Sequence, residues 1–343
     1  MKKVLIIKLS SVGDIVMATP AVSHLKQETG AAVTWIVDEG MASLLEDHPL
    51  VDELLLYPRD PFHSSSRTLR TFLTRWVDLI RQLRRRTFDW AIDLQGRPRT
   101  YLLLQAARAD RKIGRGLFPF LCQTVRHRRS DQRHAVVACF ESLDLLGLGR
   151  PGKPPLVLES QAKDRTRVEG LLRTLGVTAG RYAVILPATT WPSKTWPAEY
   201  FAQVADWLVA RGLDVLLVGS ARDQEVSARV RAAMNPTGRL FPLLSVLTLR
   251  ELLPLFERAS LVLGGDTGPL HIAAAADVPI VALYGASDPL RTGPWPPGRA
   301  VVLTAPDCRC CRLPYCRRKC MTRLGPEQVI EAASAHLHAL ATQ

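Results

Sequence analysis

The chain of 343 residues lacks any uninterrupted apolar run near the ~20 residues that span a bilayer. A helical membrane anchor is therefore not expected in it. Its opening residues lack the long apolar core and cleavage site of a secretory leader, because Val4 to Leu9 is short and contains Lys8. A cytoplasmic protein is expected, with its seven cysteines reduced or metal-bound. Aromatic residues are scarce, at 6%. They interleave little with the basic residues, which argues against a stacking platform for single-stranded nucleic acid. The first apolar run is not followed by Gly-x-Gly-x-x-Gly, so a nicotinamide dehydrogenase is discounted.

Acidic residues are also in deficit, 32 against 45 Lys and Arg, for a formal net charge of +13. The excess is local. Between Asp60 and Ala135 there are seventeen Lys and Arg against six Asp and Glu. The stretch includes Arg67, Arg81, Arg84, Arg85, Arg86, Arg97, Arg99, Arg126, Arg128 and Arg129. Such a field attracts an anionic membrane or substrate. The plainer reading is a solvated helix face.

The length suits two domains. In the first half, strands are expected at Val4–Leu9, Ala32–Val37, Glu53–Tyr57 and Trp90–Leu94. They alternate with helices over Ile15–Glu28, Gly40–Glu46, Thr68–Arg85 and Arg133–Leu146. Gly147 to Pro155 reads as a linker. The rhythm then restarts, with strands at Tyr182–Leu186, Asp214–Val218, Leu261–Leu263, Ile280–Tyr284 and Val301–Thr304. Helices are expected over Ala198–Ala210, Gln224–Met234, Leu249–Arg258, Pro269–Ala276 and Pro326–Leu340. Alternation of this kind predicts parallel sheets covered by helices on both faces.

Two strand-to-helix turns carry chemistry. In the first, Lys8-Leu9-Ser10-Ser11-Val12-Gly13-Asp14 puts a carboxylate at the carboxyl edge of the first sheet. Open α/β sheets bind ligands at that edge. Gly13 permits a tight turn, and from this segment alone Asp14 reads first as a helix cap. In the second, Gly264-Gly265-Asp266-Thr267-Gly268-Pro269-Leu270-His271 repeats the plan and opens a helix whose free N–H groups suit a phosphate.

These turns, with Thr189-Thr190-Trp191-Pro192-Ser193-Lys194-Thr195-Trp196-Pro197 between them, make three blocks whose order and spacing resemble glycosyltransferase family 9. That family comprises the ADP-heptose:lipopolysaccharide heptosyltransferases. The resemblance implies the GT-B fold, two doubly wound Rossmann-like domains facing a central cleft. Residues 1–155 would bind the acceptor and residues 156–325 the nucleotide-sugar donor. The helix of residues 326–343 would pack back on the first domain. It implies an inverting transfer with Asp14 as general base and Lys194 on the diphosphate and sugar, although a lone lysine in such a loop is ordinarily a surface residue. Donor contacts would come from Ser11, Gly13, Thr189, Thr190, Asp266, Thr267 and Gly268. His271 could face the donor phosphates or be a packed side chain. Asp223 suits a ribose diol or a helix cap equally, and Leu247 is a candidate for the adenine face.

No Asp-x-Asp motif lies near these blocks, so metal-independent chemistry is expected. Cys308-x2-Cys311 with Cys316-x3-Cys320 has zinc-like spacing. A structural zinc and a set of plain reduced thiols both stand as readings. The expected partners are ADP-heptose, an anionic lipid-linked saccharide acceptor and the cytoplasmic face of the inner membrane, with no nucleic acid. The competing functions are a family 9 enzyme using another nucleotide sugar and a non-catalytic protein binding an anionic surface. The latter leaves Asp14, Lys194 and Asp266 unexplained.

Overall fold

The computed structural model describes residues 1–58, 69–115, 123–125, 133–236, 238–298 and 300–341. Arg67, Arg126, Arg128 and Arg129 of the basic stretch lie outside these. The chain divides into two compact units, Met1–Glu159 and Ser160–Gln343. The boundary falls four residues beyond the expected one.

The first unit is a six-stranded, wholly parallel sheet. Its strands are β1 (Lys3–Ile7), β2 (Ala32–Asp38), β3 (Glu53–Tyr57), β4 (Thr87–Asp93), β5 (Arg108–Arg115) and β6 (Gln123–Val125), in the order β3-β2-β1-β4-β5-β6. The helices are α1 (Val12–Val16), α2 (Thr19–Thr29), α3 (Leu69–Arg85), α4 (Pro98–Ala106) and α5 (Ala135–Asp144). The expected single helix over Ile15–Glu28 is thus two. Pro20 has no N–H to donate and cannot sit inside a continuous helix, so α2 restarts with Pro20 in its first turn. The expected helix over Gly40–Glu46 is a 3-10 turn spanning Glu39–Leu44.

Strand β5 was not expected. Its sequence, Arg-Ala-Asp-Arg-Lys-Ile-Gly-Arg, reads as a solvated basic segment. It nevertheless pairs with both β4 and β6. Ile113 is buried at its centre, while the long side chains of Arg111 and Lys112 stay partly exposed. Long basic side chains can cover apolar surface with their stems and leave the charge in water. Leu5, Ile7, Leu9, Ile36, Ala91 and Leu103 form the core beneath β1, β2 and β4.

The second unit repeats the topology. After α6 (Ala162–Leu175) come β7 (Tyr182–Leu186), α7 (Ala198–Val209), β8 (Asp214–Gly219), α8 (Gln224–Ala233) and β9 (Leu240–Leu244). Then follow α9 (Leu252–Glu257), β10 (Leu261–Gly265), α10 (Gly268–Ala275), β11 (Ile280–Tyr284), α11 (Pro289–Thr292), β12 (Val301–Thr304) and α12 (Pro326–Ala341). The order is β12-β11-β10-β7-β8-β9, again all parallel. Counted from each unit's first strand, both sheets have the 3-2-1-4-5-6 order of doubly wound nucleotide-binding folds. Helix α12 places Val329 and Ala333 in the second unit's core with Phe201, Leu208 and Leu263. Those two apolar positions, four apart, share one helix face, and α7 together with β10 and β11 covers it.

Candidate functional site

In a doubly wound sheet the strand order reverses at one point, and ligands gather at the carboxyl ends of the strands that flank it. In the first unit those strands are β1 and β4. The turn after β1 carries Ser11 at the cap of α1 and Asp14 at its third position. Asp14 is therefore not the cap itself. Its Oδ2 reaches back to accept from the Ser11 N–H and the Ser11 hydroxyl, each at 3.1 Å. Its Oδ1 accepts from Lys8 Nζ at 3.4 Å. Lys8 is the last residue before the turn, with a side chain only 6% exposed, whereas the Asp14 side chain is 44% exposed. Burial pushes the Asp14 carboxyl up, but the Lys8 ammonium and the Ser11 donors outweigh it and hold the carboxyl below its ordinary range. The carboxylate is thus ionised and partly open to solvent. Gly13 is buried beneath it.

The turn after β4 braces this one. Gln95 Oε1 accepts from the Leu9 and Ser10 N–H groups at 2.7 and 3.2 Å, and its Nε2 donates to Ser10 Oγ at 3.3 Å. Gln95 is held in turn by Asp93, which is 1% exposed. Asp93 accepts from the Gln95 and Gly96 N–H groups and from the Thr100 hydroxyl, at 2.9, 3.1 and 2.8 Å. Burial is the largest influence on Asp93 and raises its carboxyl above the usual range despite these donors. Sequence reasoning missed Lys8, Asp93 and Gln95 as site residues. The signal was present: Asp93-Leu94-Gln95-Gly96 ends an apolar strand as the first block does.

In the second unit the reversal lies between β7 and β10. The loop after β7 holds Thr189, Thr190 and Lys194, and the turn after β10 holds Asp266, Thr267 and Gly268. Lys194 Nζ pairs with Asp266 Oδ2 at 2.6 Å, both side chains being largely buried, and it lies 4.9 Å from the centre of the Trp191 ring. His271 Nε2 is 4.0 Å from Asp266 Oδ1. Tyr284, at the end of β11, is pushed well above its usual range by burial and then by the Asp266 charge. Thr189 donates its hydroxyl to Trp191 O at 2.9 Å and lies 2.8 Å from the Thr195 hydroxyl, which locks the loop. Gly265 is needed where it is, since a Cβ there would meet Thr189 Cγ2 at 2.8 Å.

A cavity of about 550 Å³ gathers Thr189, Thr190, Asp223, Leu247 and Thr267 against the apolar walls of Leu186 and Leu252. The volume suits a small-molecule ligand. Thr267 is the cap of α10, whose free amides and partial positive charge favour a phosphate. Asp223 also lines the cavity. Its Oδ2 accepts from Ser220 N at 2.7 Å and Ser220 Oγ at 2.9 Å, so its side chain does not cap α8. The cavity thus combines a phosphate-favouring helix start, apolar walls and a carboxylate. Of the expected donor contacts, Lys194, Asp266, Gly268 and His271 surround the β10 turn without lining it. Ser11 and Gly13 belong to the first unit. Arg222 and Ser245, which line the cavity, were missed.

The cysteines do not gather into a ligand set. Among the described residues no three Cys, His, Asp or Glu side chains are placed to hold a metal ion. Cys308 Sγ donates to Gly285 O at 2.9 Å, Cys316 Sγ donates to Cys320 Sγ at 3.5 Å, and Cys311 is exposed. The loop instead braces the Lys194 turn. Ser193 N donates to Pro314 O at 3.1 Å and Ser193 Oγ to Leu313 O at 2.5 Å.

Residues 76–322 match the model of glycosyltransferase family 9 (heptosyltransferase). The chain belongs to this family. It is 28% identical to lipopolysaccharide heptosyltransferase 1 of Pseudomonas aeruginosa over 98% of each chain. It is 27% identical to the Escherichia coli K12 enzyme of that name over 97% of this chain and 99% of the relative. A family 9 glycosyltransferase structure from Veillonella parvula superposes with a TM-score of 0.85 at 25% identity, covering 98% of this chain and 97% of that one. The E. coli heptosyltransferase WaaC with ADP gives 0.75 at 24% identity, covering 97% and 99%, a likeness of fold. This family 9 chain is a glycosyltransferase with the GT-B fold, and the expectation of two Rossmann-like domains is met in both units.

Proposed function

We propose that the enzyme transfers heptose, with inversion, from ADP-L-glycero-β-D-manno-heptose to an acceptor of the lipopolysaccharide inner core. The observation that carries the donor half is the single cavity uniting the α10 terminus, Leu247 and Asp223. The α10 amides receive the diphosphate, Leu247 lies against the adenine, and Asp223 accepts from the ribose hydroxyls. Lys194 follows the charge that grows on the leaving phosphate, since a preorganised cation acts most strongly where charge develops. Asp266 holds Lys194 and binds donor-sugar hydroxyls. It is kept off the phosphates by repulsion. Related chains named as lipopolysaccharide heptosyltransferases support the sugar and the acceptor.

Asp14 is the base of this reading. Its carboxylate is ionised at neutral pH and partly exposed, so an acceptor hydroxyl can approach it. As the hydroxyl attacks the anomeric carbon its proton passes to Asp14, and the bond to the diphosphate breaks on the opposite face. Ser11 and Lys8 hold the carboxylate in place. No step requires a metal.

A panel of nucleotide sugars tests the donor. A ligand that binds only the folded protein raises its melting temperature. ADP-heptose should give the largest rise and should support transfer to inner-core acceptor. A larger rise with another nucleotide sugar, accompanied by transfer from it, would replace the sugar in this reading while leaving the fold and the family intact.

A further inference from the structure

The first unit holds a second cavity, of about 570 Å³, beside Asp14. Ser10, Ser11, Gln95, Arg97 and Arg99 line it with the carboxylate. Two features set it apart from an ordinary polar hollow. Arg97 and Arg99 are both exposed, and among the described residues neither forms an ion pair. The carboxylate in the lining, Asp14, already has the buried Lys8 as its counter-charge. The cavity therefore carries an excess of two positive charges next to the proposed base.

Arg99 and the backbone of Arg97 are held in place. Arg99 Nη2 donates to Ser10 Oγ at 3.2 Å, and its guanidinium lies 5.9 Å from the Tyr57 ring centre. Arg97 is the cap of α4, and its backbone N–H donates to Thr100 Oγ1 at 3.0 Å, the hydroxyl that buried Asp93 anchors. Two guanidinium groups two residues apart are thus presented at the start of a helix whose positive end adds to their field. Guanidinium forks recognise carboxylates and phosphates through paired, charge-assisted hydrogen bonds.

The geometry points to an oxyanion subsite, formed by Arg97 and Arg99, that binds a carboxylate or phosphate carried by the acceptor and so presents the neighbouring hydroxyl to Asp14. This rests on the acceptor reading above and deepens it. Arg97 and Arg99 select an acidic acceptor over a neutral one of the same shape. They take no part in donor binding.

The test uses the full-length enzyme and three probes: the inner-core oligosaccharide, the same oligosaccharide dephosphorylated, and the same oligosaccharide with its carboxylates methyl-esterified. Binding is measured by calorimetry, and transfer by KM and kcat. The parent should bind one modified form at least about tenfold more weakly than the native one, as loss of a charge-assisted hydrogen bond implies. The form that is weakened identifies the anion. Arg97→Gln with Arg99→Gln should weaken the native oligosaccharide to the level of that form, leave that form's KM unchanged, and leave ADP affinity unchanged. Arg97→Gln alone should give a partial loss. Equal binding of all three probes by the parent, or discrimination that survives in the double variant, overturns the subsite. Transfer that continues under those results leaves the heptosyltransferase reading standing. Failure to bind or glycosylate any of the three rejects the acceptor reading and the subsite together. Loss of ADP affinity in the double variant, measured alongside, would reassign the arginines to donor binding.

Discussion

The two units solve the same local problem in the same way and then part. Each ends a strand in Ser-x-x-Asp, and in each the aspartate reaches back to accept from the serine's N–H and hydroxyl: Ser11 with Asp14, Ser220 with Asp223. The motif folds both carboxylates into tight turns at the sheet edge. What differs is the cation. Asp14 has Lys8 at 3.4 Å. Among the described residues Asp223 has no lysine paired with it, and it lines the apolar-walled cavity directly. An ionised carboxylate with a buried ammonium behind it and solvent before it suits a proton transfer. A carboxylate whose remaining oxygen faces a ligand cavity suits a diol. The lesson is that motif and turn do not fix a carboxylate's role, whereas the charges and the cavity beside it do.

The largest effect should come from removing that distinction. Asp14→Asn should keep the fold and ADP affinity while turnover falls at least about a hundredfold, the lower range for loss of a general base. Asp223→Asn should do the converse, weakening ADP binding with little change in kcat once donor is saturating. Calorimetry with ADP and initial-rate kinetics read both. A hundredfold kcat loss in Asp223→Asn, with Asp14→Asn near normal, would invert the assignment.

The second comparison is between the two lysine–aspartate pairs. Lys194 and Asp266 are both largely buried, at 2.6 Å, whereas Asp14 is nearly half exposed. Breaking a buried pair leaves the remaining charge without compensation, at a cost reaching about 3 kcal/mol. Lys194→Ala should therefore lower both the melting temperature and the rate, while Lys194→Ala with Asp266→Ala should recover part of the stability and none of the rate. Full recovery of turnover in the double variant would make the pair a structural feature only.

How much of this could be read from the sequence follows the same divide. The apolar strands and the three blocks were legible, since hydrophobic runs ending in Gly, Ser, Thr and Asp have few other uses. Strand β5 was not, because five of its eight residues are charged and its place in the sheet is set by pairing with β4 and β6. Helix α12 has an apolar face, but nothing in the sequence says which core receives it. Lys8 was quoted in the first block without a role, and Gln95 went unnoticed. Gln95 matters through the parallel pairing of β1 with β4, a contact between residues 86 positions apart.

Asp93 tests that tertiary link. Asp93→Ala would leave the Gln95 and Gly96 N–H groups and the Thr100 hydroxyl without their acceptor, at about 1–3 kcal/mol for a buried donor left unsatisfied. The turn bearing Ser10 and Asp14 should loosen, lowering kcat more than donor affinity. Asp93 also predicts a pH dependence. Its carboxyl is raised in the folded state, so the native protein binds the proton more tightly than the unfolded chain does. Stability should then fall as pH rises from the ordinary carboxylate value of 3.8 through the folded value. Denaturant titrations across that window check the sign. Asp93→Asn should flatten this contribution while keeping an acceptor oxygen in place.

The smallest effect belongs to Lys8→Met, and it bears most directly on the contrast between Asp14 and Asp223. The ammonium is the leading influence that lowers the Asp14 carboxyl, against a burial that raises it. Removing it should move the acid limb of the rate profile upward in pH, because Asp14 would take a proton sooner. Turnover at neutral pH should change little, since the carboxylate remains ionised there and a less stabilised base accepts a proton more readily. Stability has its own sign. With its folded value depressed, Asp14 contributes stability that is present above the unfolded carboxylate value and lost as pH falls through the folded one. The variant should lose that contribution, so its acid unfolding should begin at higher pH than the parent's. An acid limb that stays in place in Lys8→Met, in a protein whose ADP affinity is unchanged, would mean that Lys8 does not set the ionisation of Asp14. The two Ser-x-x-Asp turns would then be equivalent in charge, and the role of Asp14 would have to come from what its exposed face meets.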